Sequence, residues 1–187
     1  VSGLTLPGAT REQFPELLRN LGYETGAEIG VAAGEHAEFL LKNWPGSLLL
    51  VDCWQKQDWA IHCDSEALTT DEGHEQNYQH ALDRMRPFGT RAAFVRKFSI
   101  AAASSIREGS LDFVYLDANH SYKAVCADLL AWYPRVKSGG LMSGHDFVDS
   151  GNPFGVKSAV LEFIADLPVD LYVAPNEDWK TWYWRKP

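Results

Sequence analysis

Residues 27–52 read AEIGVAAGEHAEFLLKNWPGSLLLVD. A short apolar run (27–31) leads into the small-residue turn Ala32-Ala33-Gly34. A helix-compatible stretch (35–43) follows, burying Phe39 and Leu40, and Pro45-Gly46 breaks it. The next run, 47–51, is continuously apolar and closes at Asp52. Such a run suits a parallel strand covered on both faces, where no polar alternation is needed.

The same alternation continues outward from this unit. Upstream, 10–21 reads as a helix, with Phe14, Leu17, Leu18 and Leu21 at helical spacing and Gly22 as its stop. Downstream, a polar helix (71–86) ends at Pro87, a strand covers 91–96, and a small-residue helix covers 100–106. A strand at 111–116 ends at Asp117. An amphipathic helix at 122–136, with Val125, Leu129 and Trp132 on one face, stops at Gly139-Gly140. A strand from Leu141 to Ser143 then runs up to His145-Asp146, and a last helix spans 155–164. The terminal runs 171–174 and 181–184 have no helix between them, so they pair antiparallel at the sheet edge. The pattern predicts an α/β fold: a doubly wound, mostly parallel sheet with helices on both faces. No repeat or linker interrupts it, so 1–187 is expected to form one domain, with 54–87 as a lid over a site.

Composition narrows the partners. The 187 residues are 45% hydrophobic and 22% charged, with a formal net charge of -8. That is ordinary globular composition, and no dense Lys/Arg run tracks phosphates, which argues against nucleic acid and anionic membrane surfaces. Cys53, Cys63 and Cys126 lack metal-type spacing and read as free thiols in a reducing, cytoplasmic setting. No run reaches the length of a membrane-spanning helix. No secretory leader is visible, although the first residue is Val1. The aromatic cluster Trp179, Trp182, Tyr183 and Trp184 either packs in the core or forms a surface for a homo-oligomer.

In open α/β sheets ligands bind beyond the carboxyl ends of the strands, so the polar strand ends are the place to look. Glu28-x-Gly30-x-x-x-Gly34 sits at the first. Its glycines let a ligand approach the backbone, and its spacing departs from the dinucleotide G-x-G-x-x-G. Asp52, at the next strand end, matches the acidic residue that accepts hydrogen bonds from ribose hydroxyls. Trp54 either stacks on an adenine face or packs in the core. Ser99 either bonds an adenine edge or caps the helix that follows.

Two further strand ends carry chemistry. Asp117 begins the run Asp117-Ala118-Asn119-His120-Ser121-Tyr122, and His145-Asp146 follows the fifth strand. Asp117, His145 and Asp146 are a candidate set for one divalent cation, Mg²⁺ from the carboxylates or a softer metal from the imidazole. His120 is the candidate general base, because imidazole takes a proton near neutral pH. Tyr122 either packs or lines the substrate mouth, and Asp128 reads as a helix-surface charge.

The run from Leu111 to Tyr122, then Asp128-Leu129, Lys137-Ser138-Gly139-Gly140-Leu141 and Gly144-His145-Asp146-Phe147, resembles class I methyltransferases that use S-adenosylmethionine (AdoMet). The nearest group is the bacterial macrocin O-methyltransferase-like one. With Glu28, Gly30, Gly34 and Asp52 the resemblance covers most of the chain. It implies a Rossmann-like seven-stranded sheet whose last strand is antiparallel. It also implies methionine near Glu28, Gly30 and Gly34, ribose on Asp52, adenine near Trp54 and Ser99, and O-methyl transfer often assisted by Mg²⁺. Two positions depart from the pattern. His145-Asp146 stands where related metal-dependent enzymes present Asp-Asp or Asp-Asn, which bears on the metal. Lys97 stands where the group often has glycine, so adenine contacts are expected to differ.

The mechanism expected is in-line methyl transfer to a hydroxyl of a small acceptor: a sugar, a phenol or another hydroxylated metabolite. His120 takes the proton, and a cation on Asp117 and Asp146 steadies the oxygen. The rival readings are a non-catalytic AdoMet-binding module and, against the glycine spacing, a nicotinamide-dependent oxidoreductase.

Overall fold

The computed structural model describes residues 8–57, 69–149, 154–175 and 178–187. Seven strands form one sheet: β1 (Thr25–Ile29), β2 (Ser47–Asp52), β3 (Ala92–Arg96), β4 (Leu111–Leu116), β5 (Val136–Gly144), β6 (Tyr172–Val173) and β7 (Trp182–Arg185). Their order across the sheet is β3-β2-β1-β4-β5-β7-β6. Strands β1 to β5 pair parallel. Strand β7 runs antiparallel between β5 and β6, so the terminal strands pair antiparallel at the edge as their missing crossover requires. The chain order reverses between β1 and β4, and the crevice opens there.

Alternation along the strands divides the core. Leu48, Leu50, Phe113 and Tyr115 face α1 (Phe14–Asn20), α2 (Glu35–Asn43) and α3 (Asp71–Met85). Ala27, Ile29, Val51, Val114 and Leu116 face α4 (Ser99–Ala103), α5 (Tyr122–Trp132) and α6 (Val156–Ile164). Each apolar strand is therefore covered on both sides, as its composition demands. Trp182, Tyr183 and Trp184 are fully buried, while Trp179 stays half exposed. Three of the four terminal aromatics are thus core.

Three expectations shift. The helix expected at 10–21 is shorter, because 11–13 form a turn before α1. Gly139-Gly140 do not end a helix: they lie inside β5, where the pairing with β4 slips between Leu111 and Phe113. Within the expected lid, 71–85 is α3, whose Ala81 and Met85 are core and whose Arg84 pairs with Glu35 and Glu38 of α2. Residues 58–68 of that segment, Cys63 among them, lie outside the described residues. Cys53 and Cys126 are free thiols. Among the described residues no helix is long and apolar enough to cross a membrane.

Candidate functional site

The turn after β1 is built around two residues. Gly30 has φ 90° and its N–H donates to Val51 O at 2.8 Å. A Cβ there would lie 2.2 Å from the Asp117 carbonyl oxygen, so only glycine fits. Asp52 supplies the other half. Its Oδ2 accepts from Val31 N–H (2.9 Å) and Ala32 N–H (3.0 Å), and its Oδ1 from Trp54 N–H (2.8 Å). Ala32 and Trp54 both have positive φ, 47° and 45°, a conformation costly for non-glycine residues. One carboxylate therefore holds two strained residues in place.

Beside this turn lies a cavity of about 310 Å³, lined by Gly30, Asp52, His74, Ser99, Asp117 and Asp128 among others. Phe98 and Ile100 also line it and are about half exposed. Ser99 does not cap α4. Its hydroxyl donates to Asp128 Oδ1 and accepts from Trp132 Nε1–H at 2.8 Å. Asp128 is buried, not a surface charge. Burial pushes its carboxyl up to about 6, against the opposing Ser99 hydrogen bond. His74, on α3, is buried, and its Nε2 has no hydrogen-bond partner among the described residues. A closed glycine turn, an orphaned imidazole nitrogen and a volume in the range of small-ligand pockets suit a nucleoside cofactor.

Three cofactor candidates sit elsewhere. The Trp54 ring is buried against Tyr78 and Phe94, with Nε1–H donated to Ala32 O at 2.8 Å. It packs in the core and does not line the cavity. Gly34 has φ 84° at the start of α2, and a Cβ there would press on Ala81 of α3 at 3.2 Å. It turns the chain and admits α3. Glu28 is buried on the α2 side of β1, with Oε1 3.2 Å from His36 Nδ1. Among the described residues Glu28 Oε2 and His36 Nε2 have no hydrogen-bond partner.

The chemical candidates do converge. His120 Nε2 is 2.8 Å from Asp146 Oδ2 and 3.6 Å from Asp117 Oδ1. His145 Nδ1 is 3.4 Å from Asp146 Oδ1 and 3.9 Å from Asp117 Oδ1. The His120 ring stacks on Phe154 at 5.1 Å, and Phe154 meets Trp179 at 6.0 Å. Burial opposes ionisation of Asp117, but His120, Arg11 and His145 outweigh it and hold its carboxyl down at about 2. Asp146 is likewise held well below the carboxylate range by His120 and His145, against its own burial.

Arg11 was not legible from strand ends. Its Nη2 donates to Asp117 Oδ2 at 2.7 Å, and its guanidinium carbon lies 5.7 Å over the Tyr115 ring. Arg11, His36, His145 and Trp179 line a wider groove of about 730 Å³ outside the cluster. Asp117 lines the inner cavity and Arg11 the outer groove, so their ion pair marks the place where the two spaces meet.

The structure gathers a set that overlaps the expected cation set without matching it. The ligand atoms that gather within 4.8 Å are those of Asp117, His120 and Asp146, not His145. Two of the three are already engaged by neighbouring nitrogens, Asp117 by Arg11 and Asp146 by His145. A divalent ion would enter against a guanidinium held at 2.7 Å.

A family model described as a methyltransferase domain matches residues 24–147, from β1 to just past Asp146. No curated protein matches the chain. Among solved structures it is similar to an O-methyltransferase from Bacillus cereus in complex with SAH: TM-score 0.70, 13% identity, covering 97% of this chain and 84% of that one. A methyltransferase from Podospora anserina, also SAH-bound, gives TM-score 0.65 at 10% identity, over 92% and 76%. The 1,6-didemethyltoxoflavin-N1-methyltransferase of Burkholderia thailandensis gives 0.59 at 13% identity, over 94% and 78%.

Proposed function

The chain belongs to the methyltransferase domain family, of the class I, AdoMet-dependent kind, and from that premise we propose that it methylates a hydroxyl oxygen of a small, ring-bearing acceptor. The observation that carries this is the junction at Asp117, where a nucleoside-sized cavity meets an open groove beside two imidazoles. AdoMet, when bound, supplies a methyl carbon on a sulfonium already activated for displacement, which leaves the protein mainly positioning and proton transfer.

The chain's residues divide that work. Gly30 and the turn held by Asp52 form the inner cavity wall, with His74, Ser99 and Asp128 available to the nucleoside. The groove, with half-exposed Trp179, offers a stacking face to a sugar or phenol ring. His120 takes the proton that the hydroxyl loses as its oxygen bonds the methyl carbon, whose bond to sulfur breaks to leave the neutral thioether S-adenosylhomocysteine, and the Asp146 carboxylate stabilises the imidazolium. The proton then passes to water. No cation enters this scheme, because Arg11 already engages Asp117.

The test is transfer of labelled methyl from AdoMet to a panel of sugars and phenols. Wild type is expected to label a hydroxyl, and His120→Ala to lose about 10²- to 10⁴-fold in rate. Full activity of His120→Ala across the pH range would overturn the assignment of the base.

A further inference from the structure

We propose that Arg11 fills the place a divalent cation would take in the strand-end cluster, so that the acceptor oxygen meets a guanidinium and the site works without a bound metal. This rests on the acceptor reaching Asp117 from the outer groove, as the methyl-transfer reading has it.

Asp117 and Asp146 bring two negative charges to neighbouring strand ends. Each of their four carboxylate oxygens has a basic nitrogen within 4 Å. Asp117 Oδ2 has Arg11 Nη2 at 2.7 Å, and Asp117 Oδ1 has His120 at 3.6 Å and His145 at 3.9 Å. Asp146 Oδ2 has His120 at 2.8 Å, and Asp146 Oδ1 has His145 at 3.4 Å. Mg²⁺ needs oxygen ligands in near-octahedral array and keeps several waters. Here it would have to displace the nitrogens that already neutralise its ligands.

The geometry of Arg11 suits the substitute role. It precedes α1, so the pair with Asp117 ties the start of the described chain to the centre of the sheet across 106 residues. Tyr115 lies beneath the guanidinium, and the side chain keeps 29% of its surface open where it lines the groove. A guanidinium is charged at every working pH and carries five N–H donors in a planar fork. It can therefore stabilise charge developing on an acceptor oxygen at the junction, which is electrostatic catalysis without a Lewis acid. His145 adds a nitrogen, not a carboxylate oxygen, to the same cluster, which lowers its affinity for hard cations further.

The experiment titrates Mn²⁺ into the purified protein and follows the free-ion electron paramagnetic resonance signal, for wild type, Arg11→Met and Arg11→Met/Asp117→Asn. Wild type is expected to leave the signal unchanged. Arg11→Met is expected to take up one Mn²⁺ per chain, at least about tenfold tighter than wild type, and the double variant to lose it. One tightly bound Mn²⁺ in wild type, abolished by Asp117→Asn, would overturn the proposal. So would a folded Arg11→Met that takes up none. If Arg11→Met does not fold, Arg11→Gln takes its place in the same comparison. Calorimetry with S-adenosylhomocysteine runs alongside. Absence of binding by both wild type and Arg11→Met would count against the methyl-transfer reading, while the Mn²⁺ result still decides the role of Arg11.

Discussion

Replacing Asp128 with Asn should change how stability depends on pH. In the folded chain burial raises the Asp128 carboxyl from 3.8 to about 6. A raised acid keeps its proton in the native state at pH values where the unfolded chain has lost it. Stability is therefore fully present below about 3.8, falls as pH rises, and levels off above about 6. A shift of roughly two units, at about 1.4 kcal/mol each, corresponds to about 3 kcal/mol. Asn is neutral throughout, and its side-chain oxygen can still accept from Ser99. Asp117 and Asp146 titrate in both proteins and cancel in the difference. Urea unfolding of wild type and Asp128→Asn, from about pH 4 to about pH 7, should show the variant gaining most of this, between about 2 and about 3 kcal/mol, relative to wild type across that window. A difference that stays flat with pH would refute the burial argument. A difference that moves in wild type's favour would show that the ionised carboxylate is the stabilised form.

Other consequences follow from single side chains. Asp52→Ala removes the acceptor for three backbone N–H groups around two positive-φ residues and should cost about 3 kcal/mol or more in urea unfolding; a loss under about 1 kcal/mol would contradict its role in the turn. His74→Ala deletes the orphaned nitrogen on the cavity wall and should weaken S-adenosylhomocysteine about tenfold by calorimetry, whereas unchanged affinity would place His74 outside the contact. His36→Ala, on the groove wall and paired with Glu28, should raise the acceptor KM while leaving S-adenosylhomocysteine affinity intact; the reverse pattern would assign the Glu28–His36 pair to the cofactor.

The sequence reveals those features whose cause is local. The helix at 35–43 and the strand at 111–116 match the structure residue for residue, because amphipathic spacing and a bounded apolar run are decided within a few residues. The first half of β5 was hidden because Gly139-Gly140 carry the signal of a stop, and only the partner strand shows that they sit in an irregularity of a continuing ladder. The strand-end rule located Gly30, Asp52, Ser99, Asp117 and His120, but not which way side chains turn. Asp52 spends its carboxylate on backbone, and Trp54 folds inward to Tyr78 and Phe94. Asp128 was readable in principle: it lies three residues after Val125 and four before Trp132, on the buried face of α5. Glu28 was readable too, since alternation along β1 sets it opposite Ala27 and Ile29, on the side of α2. Arg11 was not, because its partner is 106 residues away and no local pattern points to it.

The central claim is that the cavity at the ends of β1, β2 and β4 holds the AdoMet nucleoside. Calorimetric titration of the wild-type chain with S-adenosylhomocysteine tests it most directly. The account predicts saturable binding of one molecule per chain, unaffected by chelator. A folded protein that gives no binding heat at any temperature tried, and no thermal stabilisation by the ligand, would contradict it.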